Sequence, residues 1–105
     1  MATATPETET VGKVETELAP LYHVILLDDD DHTYEYVIRM LASVFGFDPA
    51  KGMEHATEVD RNGRTILITT TLERAELKQE QVHAFGPDPL MARSAGPMSA
   101  VLEPA

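Results

Sequence analysis

LYHVILLDDDDHTYEY, residues 21–36, contains the end of a predicted strand and the start of a predicted helix. The rest of the fold can be worked out from these two boundaries. Val24 to Leu27 is a short, continuous apolar run rich in branched residues, which is typical of a strand buried on both faces. Four consecutive carboxylates, Asp28 to Asp31, follow this run, so we expect the strand to end there. The strand then brings a concentrated negative charge to one edge of the fold, and we place the functional site at that edge.

A helix is predicted directly after the carboxylates, because apolar residues then recur every three or four positions. Thr33 is a suitable N-cap for this helix, and Gly46 a suitable end. Its apolar stripe consists of Tyr34, Val37, Ile38, Leu41 and Phe45. Asp48-Pro49 predicts the start of a second helix, since a capping residue precedes proline at the first helical position. The apolar side of this second helix consists of Met53, Ala56 and Val59.

The remaining elements lie between residues 61 and 105. Arg61 to Arg64 is predicted to form a turn in which Asn62-Gly63 supplies the positive φ values, and residues 65–70 form a β-branched strand. A third helix, capped by Thr71, runs from Leu72 to about Phe85, followed by a loop over residues 86–97 and a last strand over residues 98–102. The thin apolar stripe of the third helix consists of Leu72, Ala75 and Val82. The order β-α-α-β-α-β predicts one small α/β (α+β) domain, with a single sheet covered by helices.

Composition limits the kind of protein. The 105 residues suffice for one domain, and residues 1–20, which lack apolar periodicity, are predicted to be a disordered tail before a domain over residues 21–105. The net charge of −10 disfavours binding to nucleic acids and anionic membranes and favours cationic partners. The sequence shows no cysteine, no signal peptide and no apolar stretch of membrane-spanning length. We therefore expect a cytoplasmic monomer.

Enzymatic chemistry has little support in the sequence. It contains no cysteine nucleophile, no G-x-S-x-G motif and no glycine-rich phosphate loop. No choice of first Asp places Gly and Glu where a calcium-binding loop requires them. No metal-ligand spacing is found among the histidines, which are His23, His32, His55 and His83. We predict a protein that is not an enzyme and that uses no metal or other cofactor.

An acidic cluster after a buried strand is also similar to the magnesium-binding pair of response-regulator receiver domains. A receiver needs a further Asp at the end of a later strand to accept phosphate, whereas the later strand here ends in Thr69, Thr70 and Thr71. The chain is also short for the doubly wound sheet of a receiver. A receiver-like phosphoacceptor stays as one alternative.

Binding of a cation is the other function that these carboxylates allow. Carboxylates at a strand end, beside the N-terminus of a helix, can accept charged hydrogen bonds from an ammonium group. A solvated loop of repelling charges would have the same sequence, but four adjacent like charges are costly for folding unless a partner relieves them. Composition alone leaves these two interpretations open.

Three motifs in this chain resemble the ClpS family, the adaptors of the ATP-dependent Clp protease. Residues 22–38, YHVILLDDDDHTYEYVI, resemble the family's YKVILxNDDYTPMEFV motif without a gap. Residues 73–78, ERAELK, resemble its ExAExK helix, and residues 101–105, VLEPA, resemble its closing TLEKA. The motifs occur in the family's order between Leu21 and Ala105.

The resemblance implies a fold like the C-terminal domain of ribosomal protein L7/L12. It also implies an adaptor that holds proteins beginning with a bulky hydrophobic residue and passes them to a Clp unfoldase. By position, Asp28 and Asp29 would meet the α-ammonium and first peptide group, and Asp60 stands where a family histidine helps to hold the amine. The side-chain pocket would be lined by His32, Tyr34, Ala56, Val59 and Met98. Glu73 and Lys78 occupy positions that contact the N-domain of the AAA+ unfoldase, and the tail would match a flexible delivery segment.

The ligand pocket departs from the family pattern more than the rest of the chain does. The replacements are Asp28 for Asn, His32 for Thr, Thr33 for Pro, Tyr34 and Ala56 for two methionines, and Asp60 for the histidine. If the second helix brings Asp60 near Asp28 and Asp29, their mutual repulsion should raise the pKa of at least one carboxyl group. An adaptor for amino-terminal degrons is therefore the first hypothesis. The second is a ClpS-shaped interaction module that binds the unfoldase but not amino termini.

Overall fold

The computed structural model describes residues 19–92 and 94–105. The elements in this part of the chain are β1 (Leu21–Leu27), α1 (Tyr34–Phe45), α2 (Pro49–Asn62), β2 (Arg64–Thr71), α3 (Leu72–His83) and β3 (Ala100–Pro104). The predicted order of elements and the small α+β domain are confirmed. None of the described helices has the length and hydropathy that crossing a membrane requires. The predicted tail, apart from its last two residues, lies outside the described residues.

β1 is the middle strand of a three-stranded antiparallel sheet, in the order β2-β1-β3. Since the side chains of a strand alternate between the two faces of the sheet, an apolar run without alternation indicates burial on both faces. Val24, Ile25 and Leu26 are accordingly all fully buried. Val24 and Leu26 belong to the core beneath the helices, whereas Ile25 faces the other side, between Ile66 and Val101. The apolar run is thus buried on both faces, as predicted, and β1 ends where the carboxylates begin.

Capping side chains set the starts of α1 and α2, as predicted. Thr33 Oγ1 accepts a hydrogen bond from the amide of Tyr36 at 3.1 Å. Asp48 Oδ1 accepts one from the amide of Lys51 at 2.8 Å, and Pro49 follows the cap at the first helical position. Each cap satisfies a backbone donor that has no partner within its helix. These local contacts place the start of α1 directly after the acidic run.

Glycines end the first two helices in the left-handed conformation that other residues adopt only with strain. Gly46, with φ of 72°, follows α1, and Gly63, with φ of 82°, follows α2. The predicted turn at residues 61–64 is therefore wrong in part. Arg61 and Asn62 still belong to α2, and Gly63 supplies the positive φ.

The buried side of α1 is shifted from the predicted stripe. Val37 and Leu41 are buried as predicted, but Tyr34 is 37% exposed, and Tyr36 and Met40 are fully buried instead. Tyr36 can enter the core because its hydroxyl donates a hydrogen bond to the carbonyl of Gly86 at 2.5 Å. Tyr36 therefore ties α1 to the loop that follows α3.

The buried side of α2 also differs from the prediction at one position. Ala56 and Val59 are buried, whereas Met53 is 45% exposed and Gly52 takes its place. A Cβ atom at Gly52 would lie 3.3 Å from the Cα of Ile38, so the backbones of α1 and α2 approach each other closely there. An alanine at this position would require the two helices to shift by a few tenths of an ångström.

In the C-terminal part of the chain, the last helix is shorter than predicted and the last strand lies two residues later, with the same length. α3 ends at His83, before the predicted end at Phe85, and β3 begins after Met98 rather than at it. Ala75 and Val82 are buried on α3 as predicted, but Leu72 is 41% exposed. The described residues between 84 and 99 form neither helix nor strand, and Met98 is buried within this segment, called the C-terminal loop below.

Candidate ligand-binding site

A cavity of about 240 Å³ opens at the acidic end of β1. Its walls come from the residues after β1, from α1, from α2 and from the C-terminal loop. The lining residues are Asp28, Asp29, Asp30, His32, Tyr34, Val37, Ala56, Val59, Asp60, Met91 and Met98. Every residue predicted to contact the amine or to form the side-chain pocket lies among them. The structure thus gathers the predicted site residues in one cavity.

The inner wall of the cavity is apolar and is part of the core. Val37, Ala56, Val59 and Met98 are buried and belong to the same hydrophobic cluster as β1. Since core packing fixes these side chains, the wall is formed without a ligand. Val37 and Met91 were missing from the prediction. An apolar group that enters here gains about 25 cal/mol for each Å² of surface removed from water.

The mouth of the cavity is acidic. Asp28, Asp29 and Asp30 follow β1, and Asp60 lies near the end of α2. Partial burial and the negative charge of Asp60 raise the pKa of Asp28, although a hydrogen bond from the amide of Asp29 opposes this shift. Asp60 therefore lies close enough to Asp28 to repel its carboxylate. A cation at the mouth would relieve this repulsion.

Tyr34 forms one side of the mouth through a hydrogen bond to Asp60. Its hydroxyl donates to Asp60 Oδ2 at 2.6 Å and so joins the first turn of α1 to the last turn of α2. Because this hydrogen bond to Asp60 stabilises the protonated phenol, the pKa of Tyr34 is raised. Tyr34 therefore lies at the rim of the cavity, with its polar end bound to a carboxylate that was predicted to hold the amine.

His32 lies behind the acidic mouth, and its side chain is only 3% exposed. Its Nδ1 is 2.7 Å from Asp29 Oδ1, and its Nε2 is 2.8 Å from the carbonyl oxygen of Gly96. Its ring also packs against that of Tyr36, with the ring centroids 4.5 Å apart. His32 therefore connects the end of β1 to the C-terminal loop.

Asp88, which was not among the predicted site residues, attaches the same loop to the start of α1. Its side chain is buried, and Oδ2 accepts hydrogen bonds from the amide (2.6 Å) and the hydroxyl (2.9 Å) of Thr33. Oδ1 accepts one from the amide of Leu90 at 2.8 Å. Burial alone would raise the pKa of Asp88, but these hydrogen bonds outweigh it and hold the pKa below its usual value. The available signal was its place between Pro87 and Pro89, which predicts only a turn.

Comparison with known proteins identifies the family. A family model described as "ATP-dependent Clp protease adaptor protein ClpS" matches residues 17–93. The chain belongs to the ClpS family. A ClpS adapter protein from Nautilia profundicola is 35% identical over 91 residues, which cover 86% of this chain and 88% of that protein. One from Roseobacter denitrificans is 36% identical over 76 residues, which cover 72% of this chain and 67% of that protein.

The fold comparison agrees with the family. The structure of Agrobacterium tumefaciens ClpS2 bound to L-phenylalaninamide is similar, with a TM-score of 0.71 and 27% sequence identity. The alignment covers 82% of this chain and 98% of that one. The resemblance found in the motifs and the ClpS-like fold expected from it are both confirmed.

The family and the sheet also bear on the other predictions. The family is described as adaptors of the ATP-dependent Clp protease. Among the described residues, no group of three or more His, Cys, Asp or Glu side chains could hold a metal ion. The receiver-like alternative is wrong, because a receiver has a parallel doubly wound sheet and the sheet here is antiparallel.

The predicted partner-binding residues lie on α3, and neither of them lines the cavity at the end of β1. Glu73 is exposed in the first turn of α3. Lys78 is half-buried, and its Nζ donates a hydrogen bond to the carbonyl of Val44 at 2.7 Å. Lys78 also lines a second cavity, of about 400 Å³, beside the C-terminal ends of α1 and α3. The ClpS domain thus carries the two predicted contact regions on separate surfaces.

Proposed function

We propose that this ClpS chain binds substrate proteins by their first residue in the cavity at the end of β1 and delivers them to a Clp unfoldase. The observation that carries the proposal is the cavity itself, in which carboxylates at the mouth lie directly before a buried apolar wall. A chain that begins with a bulky hydrophobic residue has the matching pair of groups, an ammonium and an apolar side chain on one α-carbon. An internal residue lacks the ammonium group.

The carboxylates at the mouth account for recognition of the amine. Charged hydrogen bonds from an ammonium to a carboxylate are shorter and stronger than neutral ones. Asp29 is held in place because its Oδ1 accepts hydrogen bonds from the amide of Asp31 at 2.9 Å and from His32 at 2.7 Å. The carboxylate of Asp29 lines the cavity, where the ammonium would meet it. The ammonium would also neutralise the repulsion between Asp28 and Asp60.

The apolar wall accounts for recognition of the side chain. A cavity of about 240 Å³ with a wall of Val37, Ala56, Val59 and Met98 suits a Leu or Phe side chain. The Agrobacterium tumefaciens ClpS2 structure supports this reading, since its ligand, L-phenylalaninamide, has a free α-amine and an aromatic side chain. We therefore take hydrophobic amino-terminal residues as the substrate class.

Delivery requires a second contact, which we assign to α3. This helix buries only Ala75 and Val82, so most of its surface is left for a partner. Glu73 and Lys78 would contact the N-domain of the AAA+ unfoldase. Residues 1–20 would act as the delivery segment.

One observation favours the second candidate function, a ClpS-shaped module that binds the unfoldase but not amino termini. The hydroxyl of Tyr34 already donates to Asp60, so an incoming amine must share this carboxylate or displace the phenol.

Asp60→Asn tests the proposal against this second candidate. Leu- and Phe-initial peptides should bind the variant about 10- to 100-fold more weakly, because a hydrogen bond to a charged group contributes about 1.5–3 kcal/mol. Glu54→Gln is the matched control, since it removes the same charge from an exposed position of α2 that does not line the cavity. It should change the affinity by less than about twofold in physiological salt. Equal weakening by both variants would contradict a specific amine contact, and an unmodified protein that binds no peptide would support the unfoldase-only module.

A further inference from the structure

The two hydrogen bonds of His32 cannot both be made by a neutral imidazole. Their partners, a carboxylate oxygen of Asp29 at 2.7 Å and the carbonyl oxygen of Gly96 at 2.8 Å, only accept hydrogen bonds. A neutral imidazole carries one N–H group and can donate to only one of them, whereas an imidazolium carries two. The observed arrangement therefore corresponds to the positively charged ring.

The surroundings of His32 match this charge. Asp29 faces the ring from the end of β1, and Asp88 faces it from the C-terminal loop, where the positive charge of His32 helps to lower the pKa of Asp88. From α1 the ring contacts Tyr36, which is uncharged. A buried charge is tolerated when it is paired and hydrogen-bonded, and the buried ring of His32 meets both conditions.

A neutral His32 would have a different partner within reach. Ser94 Oγ lies 3.3 Å from Nε2 and can donate a hydrogen bond to an unprotonated nitrogen. With the remaining proton kept on Nδ1 for Asp29, the lone pairs of Nε2 and of the Gly96 carbonyl oxygen would repel each other. The loss of one proton thus releases Gly96, which lies in the C-terminal loop two residues before Met98 of the apolar wall.

We infer that His32 is a positioning residue whose imidazolium form holds Asp29 in place for the amine and holds Gly96 in place for the apolar wall. The charged ring joins the acidic mouth of the cavity to the loop that carries part of the apolar wall. Ligand affinity then depends on whether His32 is protonated. This inference rests on the proposed function, because it concerns the affinity for an amino-terminal residue. It assigns His32 a role beyond lining the side-chain pocket.

His32→Gln tests the inference, because glutamine keeps a donor and an acceptor but cannot carry the charge. The affinity of a Phe-initial peptide should be measured for the unmodified protein and the variant from about pH 5.5 to 8.5. The ratio of the two affinities removes the titration of the peptide's own amine, which both proteins share. The unmodified protein should bind the peptide about tenfold more tightly than His32→Gln at pH values where His32 is charged. Where His32 is neutral, the difference should fall below about threefold. His23→Gln is the matched control, since the ring of His23 lies 2.8 Å from Thr69 Oγ1 and does not line the cavity. The unmodified protein and His23→Gln should bind the peptide equally well at every pH.

A measurement on the unmodified protein locates the protonation step without any variant. Proton–nitrogen NMR of the imidazole should show protons on both ring nitrogens of His32 at the lowest pH of the series, and the affinity ratio should fall over the same pH range in which one of them is lost. A single ring proton at that pH, or a ratio that stays constant while the proton is lost, would overturn the inference. If the unmodified protein binds Phe-initial peptides and His32→Gln behaves identically, the inference fails while the proposed function stands. If the unmodified protein binds no amino terminus at any pH, the proposed function fails and the effect on affinity fails with it.

Discussion

Asp88→Asn should loosen the loop that forms one wall of the site. Asp88 is 2% exposed and accepts hydrogen bonds from the amide and hydroxyl of Thr33 and from the amide of Leu90. Asparagine keeps one acceptor oxygen but replaces the other with an NH₂ donor. If the remaining oxygen faces Thr33, the NH₂ group faces the N–H of Leu90, and two donors meet in a buried position.

The size of the effect follows from these contacts. A buried N–H group without an acceptor costs about 1–3 kcal/mol, and the bonds that remain at Thr33 weaken because their acceptor is no longer charged. We expect the free energy of unfolding to fall by about 2–4 kcal/mol. For a domain of this size each kcal/mol corresponds to about 4–8 °C, so Tm should fall by at least about 8 °C.

The same contacts fix the sign of the pH dependence. The pKa of Asp88 in the folded protein lies below the ordinary value of 3.8, so the unfolded chain takes up this proton more readily than the folded one. The stabilisation is fully present above the ordinary value and is lost as the pH falls through the folded-state pKa. Asp88→Asn lacks this contribution at every pH. The stability difference between the two proteins should therefore be constant near neutral pH and shrink below about pH 4.

Urea and thermal unfolding, followed by circular dichroism, measure both effects. Asp48→Asn is the matched control, because Asp48 is an exposed N-cap and Asn caps helices about as well as Asp. Its Tm should lie within about 3 °C of that of the unmodified protein. An equally small change for Asp88→Asn, or a stability difference that grows as the pH falls, would refute the assigned role of Asp88.

Other changes test the acidic mouth, the helix α3 and the tail. Asp28→Asn should stabilise the folded domain at neutral pH by less than about 1 kcal/mol, as measured by urea unfolding, since its carboxylate is largely exposed. The pKa of Asp28 is raised, so its ionised form costs stability above that pKa, and the gain from the substitution should vanish as the pH falls through it. Glu73→Ala combined with Lys78→Ala should weaken unfoldase binding about tenfold in surface plasmon resonance. Tm should fall by only about 4–8 °C, because Glu73 is exposed and Lys78 loses one hydrogen bond, to the carbonyl of Val44, that contributes about 1 kcal/mol. Removal of residues 1–19 should leave peptide affinity unchanged but abolish degradation of a Phe-initial reporter by the reconstituted protease.

Each of these changes has a contradicting result. A lower stability of Asp28→Asn at neutral pH would show that its charge is not repelled in the fold, and Glu54→Gln controls for the change in net charge. Arg74→Ala combined with Glu80→Ala removes two exposed charges from the same helix, and an equal loss of unfoldase binding would argue against a specific contact at Glu73 and Lys78. Degradation at the full rate by the shortened protein would argue against a role of the tail in delivery.

The fold was predictable where its signals are local. Thr33, Asp48 and Gly46 act through contacts within a few residues, so their capping roles can be inferred from the sequence alone. The error at Met53 has a different origin. Gly52 faces the core because α1 approaches it at Ile38, and this distance depends on the packing of two helices rather than on either sequence.

The site was predictable only in part. The acidic end of β1 follows from the strand pattern, but the pocket residues on α2 and in the C-terminal loop came from the family resemblance. Asp88 was missed because its hydrogen bond to Thr33 joins residues 55 positions apart, and the loop that carries it has no periodicity. Met91 was missed for the same reason. The pairing of His32 with Gly96 likewise depends on where the loop lies in the fold.

The most direct test of the account is a calorimetric titration of the unmodified protein with one Phe-initial peptide, with its amino terminus either free or acetylated. Acetylation removes the ammonium charge and leaves the apolar side chain, so it separates the acidic mouth from the apolar wall. We predict that the free peptide binds, with an affinity that falls as salt is added, and that the acetylated peptide does not bind. Equal binding of the two peptides, or binding of neither, would contradict recognition of the amino terminus by this cavity.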